Sequence, residues 1–257
     1  GSALEFAFRT FDGVPEVLQG VRDEIRRGSS QIKVMASGGV TSVNDPIDSV
    51  QFSPEELSAI TSEAARWGKY VMAHVYSPEA IKHAVDCGVR SLEHCNLLDE
   101  QPADLVAAKG CFIVPTLITY DTMKLHSQRF GLTRDQVEKL MHVAEAGSAA
   151  VELCVEKGIP MGLGTDLLGA EAQQRQSEEL RLRADIQSNH EVLKSATLTN
   201  AQLLEADGDV GKIAVGKRAD ILVLEANPLK DITVLTRPDK YLSAIMKDGI
   251  FYKNRLA

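Results

Sequence analysis

KYVMAHVYSPEAIKHAVDCGVRSLEHCN, residues 69–96, sets a short apolar run, a helical pattern and a second short run in succession. Tyr70 to Ala73 leads into His74, and Ser91 to Glu93 leads into His94. Between them Ser77 precedes Pro78, an N-cap followed by proline at the first helical position, where its missing N–H costs nothing. Ala80, Ile81, Ala84 and Val85 recur at helical spacing, and Gly88 suits a left-handed C-terminal cap. The pattern predicts a parallel βαβ unit, whose two strands emerge on the same side of the sheet. The two imidazoles are then neighbours, the geometry a metal site needs. A single histidine is more often a hydrogen-bonded structural residue, and His83, His126, His142 and His190 are read that way. Two at equivalent strand ends favour a shared site.

Upstream, Val14, Val17, Leu18, Val21 and Ile25 mark an amphipathic helix that closes on basic residues and Gly28. Gln31 to Ala36 reads as a strand with Lys33 in its middle. If buried, that lysine must be neutralised, paired or chemically altered; the alternative is an edge strand with the lysine in solvent. Ser37-Gly38-Gly39 opens a loop to Gln51 that is long for a strand-to-helix connection, as functional loops tend to be. Ser53-Pro54-Glu55-Glu56 is a capping box opening a helix through Arg66.

Downstream, Asp99 to Lys109 is a helix stopped by Gly110. Cys111 to Leu117 is a strand that must bend near Pro115, with Thr119-Tyr120-Asp121 just past it. Thr133 with Gln136 caps a helix to about Lys157. Ile159 to Asp166 is a fifth strand delivering Asp166 to the same edge as the histidines. Two helical segments follow, the second from about Asn189 to Glu205. Gly211 to Ile213, Gly216-Lys217, Ala219 to Leu224 and Leu242 to Gly249 then read as short strands of a small β appendage.

The 257 residues are 44% hydrophobic and 25% charged, the composition of a soluble globular chain. A net charge of −8 disfavours nucleic-acid and anionic-membrane partners, and no run approaches the ~20 apolar residues of a membrane span. Cys87, Cys95, Cys111 and Cys154 form no CxxC pair and read as the reduced thiols of a cytoplasmic protein. Gly1-Ser2 resembles a cloning remnant, and no signal peptide follows it.

The ordered set QIKVMASGGV, VMAHVYSPEAI, SLEHCN, VPTLITYD and MGLGTDLLG, followed by GKIAVGKRADILVLEANPLKDI and IMKDGIFYKN, resembles the amidohydrolase superfamily. Within it the similarity is to Xaa-Pro dipeptidase-like and carboxypeptidase-like metal-dependent hydrolases built on a (β/α)8 barrel. The resemblance implies that Lys33 is the strand-four lysine, carboxylated by CO2 to a carbamate bridging two divalent metals. It implies that His74 and His94 are the strand-five and strand-six ligands of one metal. Asp166 is then the strand-eight carboxylate, both ligand and proton shuttle. One or two divalent ions, zinc by preference, are the implied cofactor. The implied reaction is hydrolysis of amide or peptide C–N bonds, in Xaa-Pro dipeptides or N-acyl amino acids, by metal-activated hydroxide. Tyr76, Tyr120, Gly38 and Gly39 lie where substrate contacts fall, and a structural role serves each equally well.

One departure accompanies the match. The family pairs a His-x-His at strand one with these ligands, and this sequence contains no His-x-His. The likeness starts just before strand four. Residues 3–207 therefore read as the second part of a barrel, strands four to eight, and residues 208–257 as the C-terminal part of a small β-sandwich. Five strands do not close a barrel of eight, and open edges carry unpaired N–H and C=O groups. An oligomer or a complementing chain is the expected remedy, with Ile32, Val34, Met161 and Leu163 left bare without it. In the absence of the strand-one histidines, an unmodified Lys33 is expected to pair with Asp166. The alternative function is a catalytically incomplete fragment or an interaction module.

Overall fold

The computed structural model describes residues 8–128 and 130–256. Helix α1 (Val14–Arg26) leads to β1 (Ile32–Met35), followed by α2 (Pro54–Arg66), β2 (Val71–Val75), α3 (Pro78–Asp86), β3 (Ser91–His94), α4 (Glu100–Lys109) and β4 (Phe112–Val114). The four strands form one parallel sheet in the order β1-β2-β3-β4. Order in space follows order in sequence without reversal, the winding of a barrel rather than of a doubly wound sheet. The helices begin where the sequence provides caps. At α2 the Ser53 hydroxyl accepts the Glu56 N–H at 3.2 Å, and the Glu56 carboxylate accepts the Ser53 N–H at 2.7 Å. At α3 the Ser77 hydroxyl accepts the Ala80 N–H at 3.3 Å, without the reciprocal bond.

Strand alternation sorts the residues between two faces. Ile32, Val34, Val71, Ala73, Val75, Leu92 and Ile113 are buried in one apolar cluster with residues of α1 to α4, including Val17, Leu57, Ile81 and Val106. The opposite, inner face carries Lys33, Met35, Met72, His74, Ser91 and Glu93, with His74 beside Met35 on one side and Glu93 on the other. Beyond β4 lie α5 (Leu117–Leu125), α6 (Arg134–Glu156), the single-turn α7 (Ala170–Gln173), α8 (Glu178–Ala184), α9 (Asn189–Lys194) and α10 (Asn200–Leu203). A π-helical turn, Ser195–Thr199, joins α9 to α10. A separate antiparallel sheet ends the chain: β5 (Ile221–Leu224), β6 (Leu242–Lys247) and β7 (Ile250–Asn254).

Four expectations are corrected. The fifth strand does not form; only Met161 bridges Ile113. The main-chain groups of Leu163 are taken by a side chain instead, its N–H donating to Asn200 Oδ1 and its C=O accepting from Asn200 Nδ2, each at 2.9 Å. The strand expected over residues 111–117 stops at Val114, because Pro115 bends the chain and Thr116 turns left-handed into α5. Residues 211–217 are turns, not strands, and the missing sheet partner is β7. Finally, Ile32, Val34 and Met161 are not bare but buried, and Leu163 is half-buried. The outer face is covered by its own helices, and the exposed member of β1 is Lys33. Among the described residues, no helix is long and apolar enough to cross a membrane.

Candidate functional site

His74 is the fourth residue of β2, and the parallel register sets its neighbour Val75 opposite His94. The two rings meet edge to face with centroids 4.6 Å apart. Both are buried, at 6% and 3% exposure. Burial lowers the His74 imidazole to about 4, opposed by its hydrogen bond to Gly38 and helped by the charge of Lys33. Burial likewise pushes His94 well below its usual range, with His74 and Lys33 adding to the effect. Both rings are therefore neutral near pH 7, the state in which imidazole offers a lone pair.

Each ring is held from behind. His74 Nε2 lies 3.1 Å from the Gly38 carbonyl. A carbonyl only accepts, which assigns the proton to Nε2 and the lone pair to Nδ1. His94 Nδ1 lies 2.7 Å from Thr116 Oγ1, which leaves Nε2 facing Asp166 Oδ2 at 3.8 Å. Gly38 has no substitute here: a Cβ would sit 2.1 Å from the Pro46 carbonyl oxygen. The backbone is strained at the residues that matter. His94, Thr116 and Asp166 adopt φ of 78°, 52° and 48°, a region that costs non-glycine residues of order 1–3 kcal/mol and clusters at functional sites.

Asp166 keeps 45% of its side-chain surface, and the protein packed on its other side raises its carboxyl above the usual value while Lys33 pulls it down. Its position survives the loss of the fifth strand because Thr119 Oγ1 donates to the Asp166 carbonyl at 3.0 Å. Lys33 is exposed on the edge strand β1, so the solvent-facing alternative describes its surroundings. Its charge nevertheless acts on His74, Glu93, His94 and Asp166. The expected ion pair does not form: among the described residues, the pair made by Asp166 is with His94.

Tyr76 stacks on His94 at 5.4 Å and meets His74 edge-on at 4.7 Å. Its hydroxyl shares a 2.9 Å hydrogen bond with that of Tyr120. Burial raises both phenols, which stay neutral. Gly39 borders His74, with a would-be Cβ 3.7 Å from Nε2. Three participants escape a reading by sequence pattern. Thr116 and Thr119 lie on the turn that Pro115 creates. Glu93 is buried on the inner face, accepts from Ser91 Oγ at 2.6 Å, and is raised by burial to about 7. Its signal was present: a carboxylate inside an apolar strand, one residue before His94.

The chemistry of the donors suits a divalent cation: two adjacent neutral imidazoles, each with one nitrogen anchored, and a carboxylate. The set is not complete in itself. Among the described residues, no three His, Cys, Asp or Glu side chains are grouped closely enough to hold an ion, so Lys33 or further ligands would have to contribute.

The description Amidohydrolase family matches residues 2–250. Ochratoxinase of Aspergillus niger is 37% identical over 246 residues, 94% of this chain and 50% of its own length. A prolidase solved with N-methylphosphonate-L-proline superposes with a TM-score of 0.93 at 44% identity, covering 96% of this chain and 60% of that one. A Xaa-Pro dipeptidase with methionine bound in its active site gives a TM-score of 0.87 at 28% identity, over 95% and 59% of the two chains. The chain thus spans about half the length of the curated relative and about three-fifths of the solved structures. A strand order without reversal, two histidines brought together at the strand ends, and a match over nearly the whole sequence agree: this chain belongs to the amidohydrolase family.

Proposed function

We propose that the protein this chain represents hydrolyses amide or peptide C–N bonds, with a Xaa-Pro dipeptide or an N-acyl amino acid as substrate and a divalent metal, zinc by preference, as cofactor. The observation that carries the reading is the His74–His94 contact, two neutral rings 4.6 Å apart with Asp166 Oδ2 beside one of them. His74 through Nδ1, His94 through Nε2, Asp166 and a carboxylated Lys33 are the residues that would hold the metal. A divalent cation there supplies Lewis acidity and a water acidified to a pKa of about 7. Asp166 takes the proton of the attacking water at Oδ2 and returns it to the departing nitrogen. The Tyr76 and Tyr120 hydroxyls are neutral and linked, one proton lying between them and the other left to donate toward the substrate, and the Gly38-Gly39 turn leaves room above His74.

The neighbouring structures named as a prolidase and a Xaa-Pro dipeptidase support the substrate class, and ochratoxinase supports the wider one. On this reading residues 3–207 are strands four to eight of a (β/α)8 barrel, and residues 208–257 belong to a small β-sandwich. A second copy or a complementing chain covers the inner face beside Lys33. The incomplete ligand set favours one competing reading, a catalytically incomplete or purely interacting chain. Metal content by mass spectrometry, together with turnover of Xaa-Pro dipeptides and N-acyl amino acids before and after zinc addition, decides between them. Stoichiometric zinc with turnover abolished by His94→Ala is the expected result. Absence of both, at an oligomeric state established by light scattering, leaves the second reading.

A further inference from the structure

Thr116 occupies the N-cap of α5, the position from which a threonine hydroxyl ordinarily accepts an N–H of the first turn. It makes no such bond, because its left-handed backbone, φ 52° and ψ 44°, departs from the extended conformation that capping requires. Its hydroxyl is 2.7 Å from His94 Nδ1 instead. The orphaned N–H of Ile118 is satisfied from far along the sequence, donating to Glu179 Oε2 at 2.7 Å. Glu179, on α8, is fully buried, and its other oxygen, Oε1, has no hydrogen-bond partner. Burial raises this carboxyl to about 7. Arg183 acts on it as a charge rather than as a donor, since the guanidinium donates to Gln187, the Gly162 carbonyl and Met161 Sδ. A half-satisfied buried carboxyl is costly, and packing alone would be served better by leucine.

We propose that Glu179 is a positioning residue: by capping α5 from another helix it holds the left-handed turn on which the Thr116 hydroxyl fixes the ring of His94. The same helix also holds the segment that leads to Asp166, because Arg183 Nη1 donates to the Gly162 carbonyl at 3.1 Å. Thr119, on the capped turn, donates to the Asp166 carbonyl. One helix thus braces both partners of the 3.8 Å His94–Asp166 approach. The functional weight of this inference rests on reading His94 as a metal ligand; the bracing of the Thr116 turn does not.

The test uses metal-free chain labelled with 15N-histidine. Long-range 1H–15N correlations report which ring nitrogen of His94 carries the proton, with the signal assigned by its loss in His94→Asn. The parent chain should show a single His94 tautomer, and Glu179→Gln, which keeps an acceptor for Ile118, should match it. Glu179→Leu should loosen the turn that carries Thr116 and give mixed tautomers. Thr116→Val should do the same, and combining the two should add nothing. Should the leucine variant not fold, Glu179→Asp, which withdraws the acceptor by one methylene, carries the same expectation. A folded Glu179→Leu or Glu179→Asp chain with an unchanged His94 signal would overturn the proposal, as would a Glu179→Gln chain disturbed as much as the leucine variant. Cobalt(II) titration separates the two readings. Parent chain that binds no cobalt defeats the metal assignment and leaves the tautomer test standing. Binding by the parent that weakens about 10-fold in Glu179→Leu supports both.

Discussion

The two faces of the parallel sheet are built from the same four strands and have almost nothing else in common. The outer face is Ile32, Val34, Val71, Ala73, Leu92 and Ile113, closed over by α1 to α4. The inner face carries Lys33, His74, Ser91 and Glu93 at alternate positions of the same strands. Burial on the outer face removes apolar area from water at ~25 cal/mol per Å². Burial on the inner face works the other way, desolvating His74, Glu93 and Asp166 and holding them away from their ordinary protonation. Stability and chemistry are thus divided by the two-residue period of the strand.

Substitutions should respect that division. The largest effect is expected from Leu92→Ala, which empties a fully buried outer position and should cost ~2–5 kcal/mol by urea denaturation. A loss below 1 kcal/mol would mean that the outer face is not the cohesive one. Next is Ser91→Ala on the inner face, which strips the buried Glu93 carboxyl of its donor. About 1–3 kcal/mol is expected, with no change in the helical signal.

A third prediction sharpens the comparison by adding a buried carboxyl behind the sheet. Glu179 titrates near 7 in the folded chain and near 4.3 unfolded. Between those values the folded chain holds the extra proton, so stability contributed by Glu179 is full below about pH 4 and is lost as pH rises through about 7. The slope reaches at most about 1.4 kcal/mol per pH unit. The stability difference between parent and Glu179→Gln, measured at pH 5 and pH 8, should shift in favour of the variant at the higher pH. A difference independent of pH would show that the carboxyl is not held neutral. The smallest effect is expected at Lys33, exposed on the edge strand. Lys33→Met should change stability by no more than ~0.5 kcal/mol, and on the proposed function it should still abolish metal-dependent turnover. A large loss of stability would make the lysine structural.

What could be read from the sequence was local. Ser53 and Glu56 lie three residues apart and their capping box formed as read. Ser77-Pro78 opened α3, and Gly88, Gly110 and Gly158 turned left-handed just past their helices. His74 and His94 met because a βαβ unit brings both strand ends to one edge and because His94, in register with the outward Val75, leaves the strand conformation at a φ of 78°. The misread parts were decided at a distance. Asn200 captured the main chain of Leu163 across 37 residues and dissolved a strand. Glu179 reached Ile118 across 61 and capped the helix that the left-handed Thr116 does not. No periodicity records such bonds. The tail was different, since its signal was missed rather than absent: Asp248-Gly249, both at positive φ, is the two-residue turn that a tight hairpin demands, and it joins β6 to the unforeseen β7.

The π-helical turn at Ser195–Thr199 bears on how this chain tolerates changes of length. A π turn holds one residue more than the α turn it interrupts. Deleting any one of those five residues would let α9 run on into α10 as regular helix with Asn200 close to its present phase, because the π turn already absorbs the extra residue. Its amide would then stay on Leu163, whereas a second deletion, with no π turn left to close, would rotate Asn200 by about 100° and release the clamp that substitutes for a strand between Met161 and Asp166. The segment that leads to Asp166 is in this sense addressed by counting, with one residue of slack: a first single-codon deletion about thirty positions downstream is absorbed, and a second misplaces it.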